Sequence, residues 1–197
     1  MPVLRLAPGL EARPRRELRV RAGSDGDFDF GAFRVRHVWR GLVTSVSAGA
    51  TSSLGGGVTG GVSLFASWQP IGFSLEGEGS SRGWIFRCDR YRDEDRRFAG
   101  LACDVGPERS PSYRVEIDPN GGRVLGIGNE TALQVTTQRA LSGSMIGAHV
   151  VAPEGPVAAV RLQPDMALVV ATDAAPAARL GSAVLAAALF AGDDLPP

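Results

Sequence analysis

The sequence contains no lysine: all 21 of its basic residues are Arg. The plainest source of that bias is a GC-rich genome, although Arg also offers a planar fork for carboxylates and phosphates. Acids number 21 as well, giving a formal net charge of +0. A dedicated nucleic-acid binder would be strongly basic, so no nucleic-acid partner is expected. There are only two cysteines and two histidines. Cys88 and Cys103 lack the paired CxxC spacing of a zinc site and lie far from His37 and His149, so neither a metal nor any other cofactor is expected. Long apolar runs are missing too. The longest, Leu180 to Ala191, falls short of the roughly 20 residues a membrane-spanning helix needs. The N-terminus, MPVLRLAPGLEARPRRELRVRAG, has Arg throughout and no apolar core of signal-peptide length. Cytoplasm is the default expectation, and the cell envelope follows if a leader was removed.

What is present suits a turn-rich globular chain. Apolar residues make up 44% and charged ones 21%, with 26 Gly and 13 Pro, the composition of neither a disordered nor a collagen-like sequence. At 197 residues one core suffices. Charge is uneven, with nine Arg against five acids in residues 1–40 and two Arg against five acids in residues 140–197. That asymmetry could steer an anionic partner toward the N-terminal segment, a solvated surface being the plainer reading.

Period-two alternation dominates the chain. Leu18, Val20 and Ala22 alternate with polar neighbours over 16–22, and 28–44 continues the pattern. There Phe33, Val35, His37 and Trp39 should share one face of a strand, with Arg34, Arg36 and Arg40 on the other. Those three arginines are the best local candidates for binding an anion. From Gly41 to Leu75 no residue is charged, and the middle, SAGATSSLGGGVTGGVS, is mostly Gly, Ser and Thr. A phosphate loop would need the GK[ST] ending that is missing here. Val58, Val62, Leu64, Ala66 and Trp68, then Ile71, Phe73 and Leu75, predict a strand, a turn at Gln69-Pro70 and a second strand. An uncharged alternating pair also fits a lipid-facing hairpin of an outer-membrane barrel. The helical ending and the missing export signal count against that.

WIFRCDRY, the charged tip RDEDRR and FAGLACDV predict a hairpin. Symmetry about the Asp95–Arg96 bond pairs Cys88 with Cys103 and Phe86 with Val105, placing Trp84, Phe86, Cys88, Leu101, Cys103 and Val105 on one apolar face. Buried free thiols are the preferred expectation, with a disulfide as the alternative in an oxidising compartment. Asp93, Glu94 and Asp95, interleaved with Arg, read as mutually compensating surface charge. Turn signals at DPNGG, PEGP and QPD separate further short strands from Tyr113 to Thr172.

DAAPAARLGSAVLAAALFAGDD ends the chain as a helix over about 174–191, with Asp173 as N-cap and Gly192 as stop. Leu185 and Leu189 lie on one of its faces, yet the segment is apolar on every side and must be enclosed. Asp193 and Asp194 sit just past its end, where the helix dipole disfavours negative charge. The expected fold is therefore mainly β: ten to twelve antiparallel strands as a barrel or sandwich around one buried C-terminal helix. An irregular Arg/Pro-rich segment, 1–15, precedes a single β-rich domain, 16–197.

The ending AAVRLQPDMALVVATDAAPAARLGSAVLAAALF, two apolar strands, a short link and an apolar helix, resembles that of the tubby-like superfamily, which includes the LURP-one-related proteins and phospholipid scramblases. The resemblance implies a roughly twelve-stranded barrel around a hydrophobic helix. Phosphoinositide sites in that family use basic residues including Lys, which this chain lacks, so none is carried over.

No coherent catalytic set emerges. Gly143-Ser144-Met145-Ile146-Gly147 matches GxSxG, but its flanks predict strand and turn rather than the strand-to-helix elbow a nucleophile needs. The first reading is thus a non-enzymatic barrel-like binding or scaffold module with a protein or anionic lipid surface as partner. The second is a membrane-surface or envelope protein contacting lipid through 41–75, with Arg34, Arg36 and Arg40 near headgroups. The third is a serine hydrolase at Ser144 with His149 or His37 as base.

Overall fold

A computed structural model describes residues 4–54, 58–77, 80–107, 112–126 and 133–193. A one-turn helix α1 (Pro8–Glu11) leads into β1 (Arg15–Ala22), β2 (Phe28–Phe30), β3 (Phe33–Arg40), β4 (Thr44–Leu54), β5 (Val58–Gly77) and β6 (Ser80–Arg92). Then follow β7 (Phe98–Gly106), β8 (Tyr113–Asp118), β9 (Gly121–Gly126), β10 (Leu133–Arg139) and β11 (Met145–Ala152). The last elements are β12 (Gly155–Arg161), β13 (Ala167–Ala171) and α2 (Pro176–Gly192). N-terminal residues expected to be irregular thus contain α1, whose Leu10 is fully buried.

All pairings are antiparallel, in the order β3-β2-β1-β13-β12-β11-β10-β9-β8-β7-β6-β5, and β3 also pairs with β5. That contact closes a twelve-stranded barrel and leaves β4 as an extra strand on β5. Closure removes the exposed edges of an open sheet. It also decides between the barrel and sandwich alternatives, since no sandwich has its first and last strands hydrogen-bonded.

Within the barrel, α2 fills the interior. Each residue from Gly181 to Gly192 is buried, Leu185 at 0% exposure and Leu189 at 3%. Phe190 meets Phe28 and Phe30 edge to face at 6.2 and 5.6 Å, the favoured geometry for aromatic rings. Small residues on the helix let the wall come close. A Cβ on Gly181 would lie 2.6 Å from Leu133 Cδ1. The N-cap is Ala175, not Asp173 as the sequence suggested. Asp173 instead accepts from Arg13 Nε at 2.9 Å, tying the start of the chain to its end, and Pro176 opens the helix where its missing N–H costs nothing.

The hairpin of β6 and β7 has the register read from the sequence, with Cys88 opposite Cys103 and Phe86 opposite Val105. The cysteines, however, are joined as a disulfide and are not the free thiols expected. Direct opposition on neighbouring strands brings their Cα atoms to 4.0 Å, so burial and bonding are compatible. The bridge closes a loop with a sequence separation of 15, which restricts the unfolded chain by about 2–4 kcal/mol. Reductant should lower the unfolding free energy by that amount in a denaturant titration; superimposable curves would show that the bridge constrains nothing.

Two further departures arise in β3 and β5. His37 adopts φ 56, and the ladder jumps from Arg36–Ser74 to Trp39–Gly72, leaving His37 and Val38 opposite one residue. This bulge inverts the alternation. Val38 now packs on the core, while His37 and Trp39 turn outward. The single apolar face expected for Phe33, Val35, His37 and Trp39 is therefore broken. Nor is there a turn at Gln69-Pro70: β5 runs unbroken through it. Pro70 O accepts from Gly41 N at 2.9 Å in the gap between β3 and β4. The absent N–H of Pro70 faces that same gap, where no ladder bond is lost.

Candidate functional site

The three arginines of β3 do not form one stripe. Arg34 is exposed on the outer surface. Arg36 is ion-paired with Asp29 at 2.6 Å, with Asp27 at 4.0 Å, and the Asp29 carboxylate raises its pKa further. Past the bulge, Arg40 is redirected to the end of α2, donating to Ala191 O at 3.1 Å and Asp193 O at 3.4 Å.

At this mouth of the barrel Arg90 does the same from β6, on the other side of β5. It occupies the inward face of β6, after Phe86 and Cys88, and is 7% exposed. Its guanidinium donates to Gly192 O and, at 2.5 Å, to Gln69 Oε1. Two cations thus meet the carbonyl end of a helix whose last turn has no basic residue of its own, the arrangement its dipole favours. This also offsets the acid that Asp193 places there.

Beside them opens a cavity of about 410 Å³ between the α2 terminus and the β6–β7 hairpin tip, with Arg92, Arg96, Arg97 and Ser144 on its rim. Much of its charge is engaged already. Arg97 pairs with Asp95 at 3.2 Å, and Arg92 donates to Arg96 O at 2.7 Å. Ser144 lies in the β10–β11 turn, and its Oγ accepts from Ser142 at 3.4 Å. His149 Nε2 lies 2.7 Å from Arg5 O, and His37 Nδ1 lies 3.3 Å from Ser74 Oγ. No hydrogen bond joins Ser144 to a histidine among the described residues, and neither histidine lines the cavity.

The other mouth holds a cavity of about 480 Å³ at the α2 N-terminus, where Arg16 and Arg179 flank Leu18, Phe33 and Tyr113. Burial pushes the Tyr113 hydroxyl pKa up, and its ring stacks on Trp84 at 5.0 Å. Arg179 donates to Thr172 O at 3.4 Å. Among the described residues no three His, Cys, Asp or Glu side chains gather as a metal site.

The most unusual feature lies outside the barrel. β4 and residues 58–68 of β5 form eleven cross-strand pairs, from Thr44–Trp68 to Leu54–Val58. β6 pairs with β5 only from Ser67 onward. The two strands therefore leave the barrel as a free ribbon, with the outer edge of β4 and the 58–66 edge of β5 open among the described residues. Every residue in it is uncharged, whereas soluble proteins normally blunt such edges with charge. At its root Leu42 is 90% exposed, Val43 59% and Trp39 55%. Gly72 makes room for the Trp39 indole, since a Cβ there would sit 2.0 Å from Nε1. The alternation of Val46, Ala48 and Ala50 was not read from the sequence as a strand, because Ser, Gly and Ala carry little strand propensity. Pairing with the more apolar 58–68 is what reveals it.

No family model, curated protein or solved structure matches the chain.

Proposed function

We propose that the protein is a non-enzymatic module that works by binding through its outer surface, with the β4–β5 ribbon as the binding element. The supporting observation is the occupied interior: with Gly181 to Gly192 buried along α2, the helix takes, among the described residues, the space that open barrels of similar size keep as a ligand chamber. The cavities at its two mouths bring no nucleophile and base together. The buried disulfide favours an oxidising compartment such as the envelope over the cytoplasm.

Closure depends on β3 pairing with Ile71 to Glu76 of β5, not on β4. Excising residues 45–67 behind a two-residue Asn-Gly turn should therefore leave a monomeric barrel that melts within a few degrees of the full chain, while abolishing partner capture. A truncated chain that no longer folds would make the ribbon structural and end this reading. So would a turnover, found by substrate screening, that one point substitution removes.

A further inference from the structure

We propose that the β4–β5 ribbon inserts into a lipid bilayer as a transmembrane β-hairpin, and that several copies close edge to edge into a membrane barrel. This rests on the ribbon being the binding element and names what it binds.

Length comes first. Eleven residues in each strand span roughly 36 Å when extended, and a tilted membrane strand needs about 9–11. No helix among the described residues is long and apolar enough to cross, so only strands are candidates. Composition is next, because the ribbon has no charge to drag into hydrocarbon. Its register then sorts the residues by side. Val46–Ala66, Ala48–Leu64, Ala50–Val62, Ser52–Gly60 and Leu54–Val58 alternate in register with Ser45–Ser67, Ser47–Phe65, Gly49–Ser63, Thr51–Gly61 and Ser53–Thr59. A largely apolar set alternating with a largely neutral polar one, Phe65 and the Ser52–Gly60 pair excepted, is the dyad pattern of a strand with lipid outside and water inside. A surface-adsorbed ribbon would also turn a polar face to water, but it would have no need of that length or of keeping the polar face free of charge.

The root of the ribbon is built like a membrane interface. Trp68 and Tyr91 pair across β5 and β6 where the ribbon emerges, and Tyr91 and Trp39 are 40% and 55% exposed, matching the aromatic girdle of membrane barrels. Arg92 sits opposite Ser67 at the same level, with Arg96 on the adjoining tip, positioned for anionic headgroups. The open edges require neighbours. Unpaired N–H and C=O groups cannot remain in hydrocarbon, and each ribbon presents one free edge on β4 and one on β5. The β4 edge of one copy can pair with the β5 edge of the next, as head-to-tail contacts that close into a ring. At two strands per copy, the smallest such barrel, about eight strands, takes about four copies.

Full-length protein added to dye-loaded vesicles of equal phosphatidylcholine and phosphatidylglycerol should release the dye. Substitutions on neighbouring residues discriminate the two faces. Val62→Arg places charge on the lipid side and should cut release at least roughly tenfold, whereas Ser63→Arg lines the lumen, keeps release and shifts the conductance toward anions. Far-ultraviolet dichroism and melting of both variants in buffer, unchanged from the parent, would place the difference in the membrane. The inference fails if the protein sediments with vesicles but releases nothing, which means surface adsorption. It also fails if V62R and S63R behave alike, or if the chain ignores vesicles and self-associates in buffer, which makes the ribbon a protein interface. Each of these leaves the excision experiment free to succeed, so the binding role of the ribbon survives or falls separately.

Discussion

Replacing Leu185 with Asp should leave no cooperative unfolding transition. Leu185 is fully buried at the middle of α2, and the barrel wall surrounds it in every direction. Among the described residues no basic side chain is at hand, because Arg40 and Arg90 are committed to the Ala191, Gly192 and Asp193 carbonyls at the helix end. An unpaired carboxylate there must neutralise or force the helix out, at a cost of several kcal/mol on top of the lost Leu packing, comparable with the roughly 5–15 kcal/mol a domain has to lose. Leu185→Ala isolates the packing contribution and should cost about 2–5 kcal/mol, with the upper end expected because a closed barrel cannot collapse onto the void. A chain ending at Asp173 gives the complementary test. Without α2 the inward faces of Phe28, Phe30 and Phe86 lose their cover. Denaturant titration, near-ultraviolet dichroism and gel filtration read all three variants. If the truncated chain stays monomeric and as stable as the full one, α2 is peripheral and the barrel is held by its ladder alone.

The distribution of what could be read from the sequence follows the range of the interactions involved. The β6–β7 hairpin was legible to the residue because its register is set by a short tip and by alternation on both arms. Burial of α2 was legible because a helix apolar on all sides has no other place to be. Closure was not, since the β3–β5 pairing joins residues 33–40 to 71–76 across the whole ribbon and no local pattern encodes it. The bulge at His37 was invisible for a different reason. Continuous alternation from Phe33 to Trp39 reads as an unbroken strand, and one extra residue with positive φ reverses every side chain beyond it. That reversal is what moved Arg40 from an anion-facing stripe to the helix terminus. Pro70 misled in the opposite sense: it reads as a stop, yet faces the one stretch of β5 that has no ladder partner on that side. The disulfide is a matter of compartment, which cysteine spacing leaves open.

Arg90→Met should destabilise the protein by about 3–5 kcal/mol, more than any other single charge removal. Arg90 sits at an inward position of β6, opposite Leu101, where an apolar residue would ordinarily stand, and it is one of only two buried polar or charged residues among those described. Its placement is explained by what faces it: the last carbonyls of an enclosed helix, which water reaches poorly. Helix termini leave four such acceptors each. Arg90 serves Gly192 O and anchors Gln69, whose amide in turn donates to Gly41 O at 3.1 Å across the β3–β4 gap. Removing the guanidinium strands two acceptors, each charge-assisted bond contributing about 1.5–3 kcal/mol. Methionine keeps the length and the apolar contact of the stem, so the loss reports the head group and not a cavity. Arg40→Ala is the control. Its side chain is exposed and serves the neighbouring Ala191 and Asp193 carbonyls, where water can replace it, and the cost should stay under about 1 kcal/mol. Arg90→Lys should recover part of the loss, since an ammonium can reach one acceptor but cannot fork to two. Hydrogen exchange at the amides of Leu189 to Gly192 should accelerate in Arg90→Met before the rest of the barrel opens. Equal losses for the Arg40 and Arg90 variants would mean that the helix end is solvated and that the buried guanidinium is not what holds it in the wall.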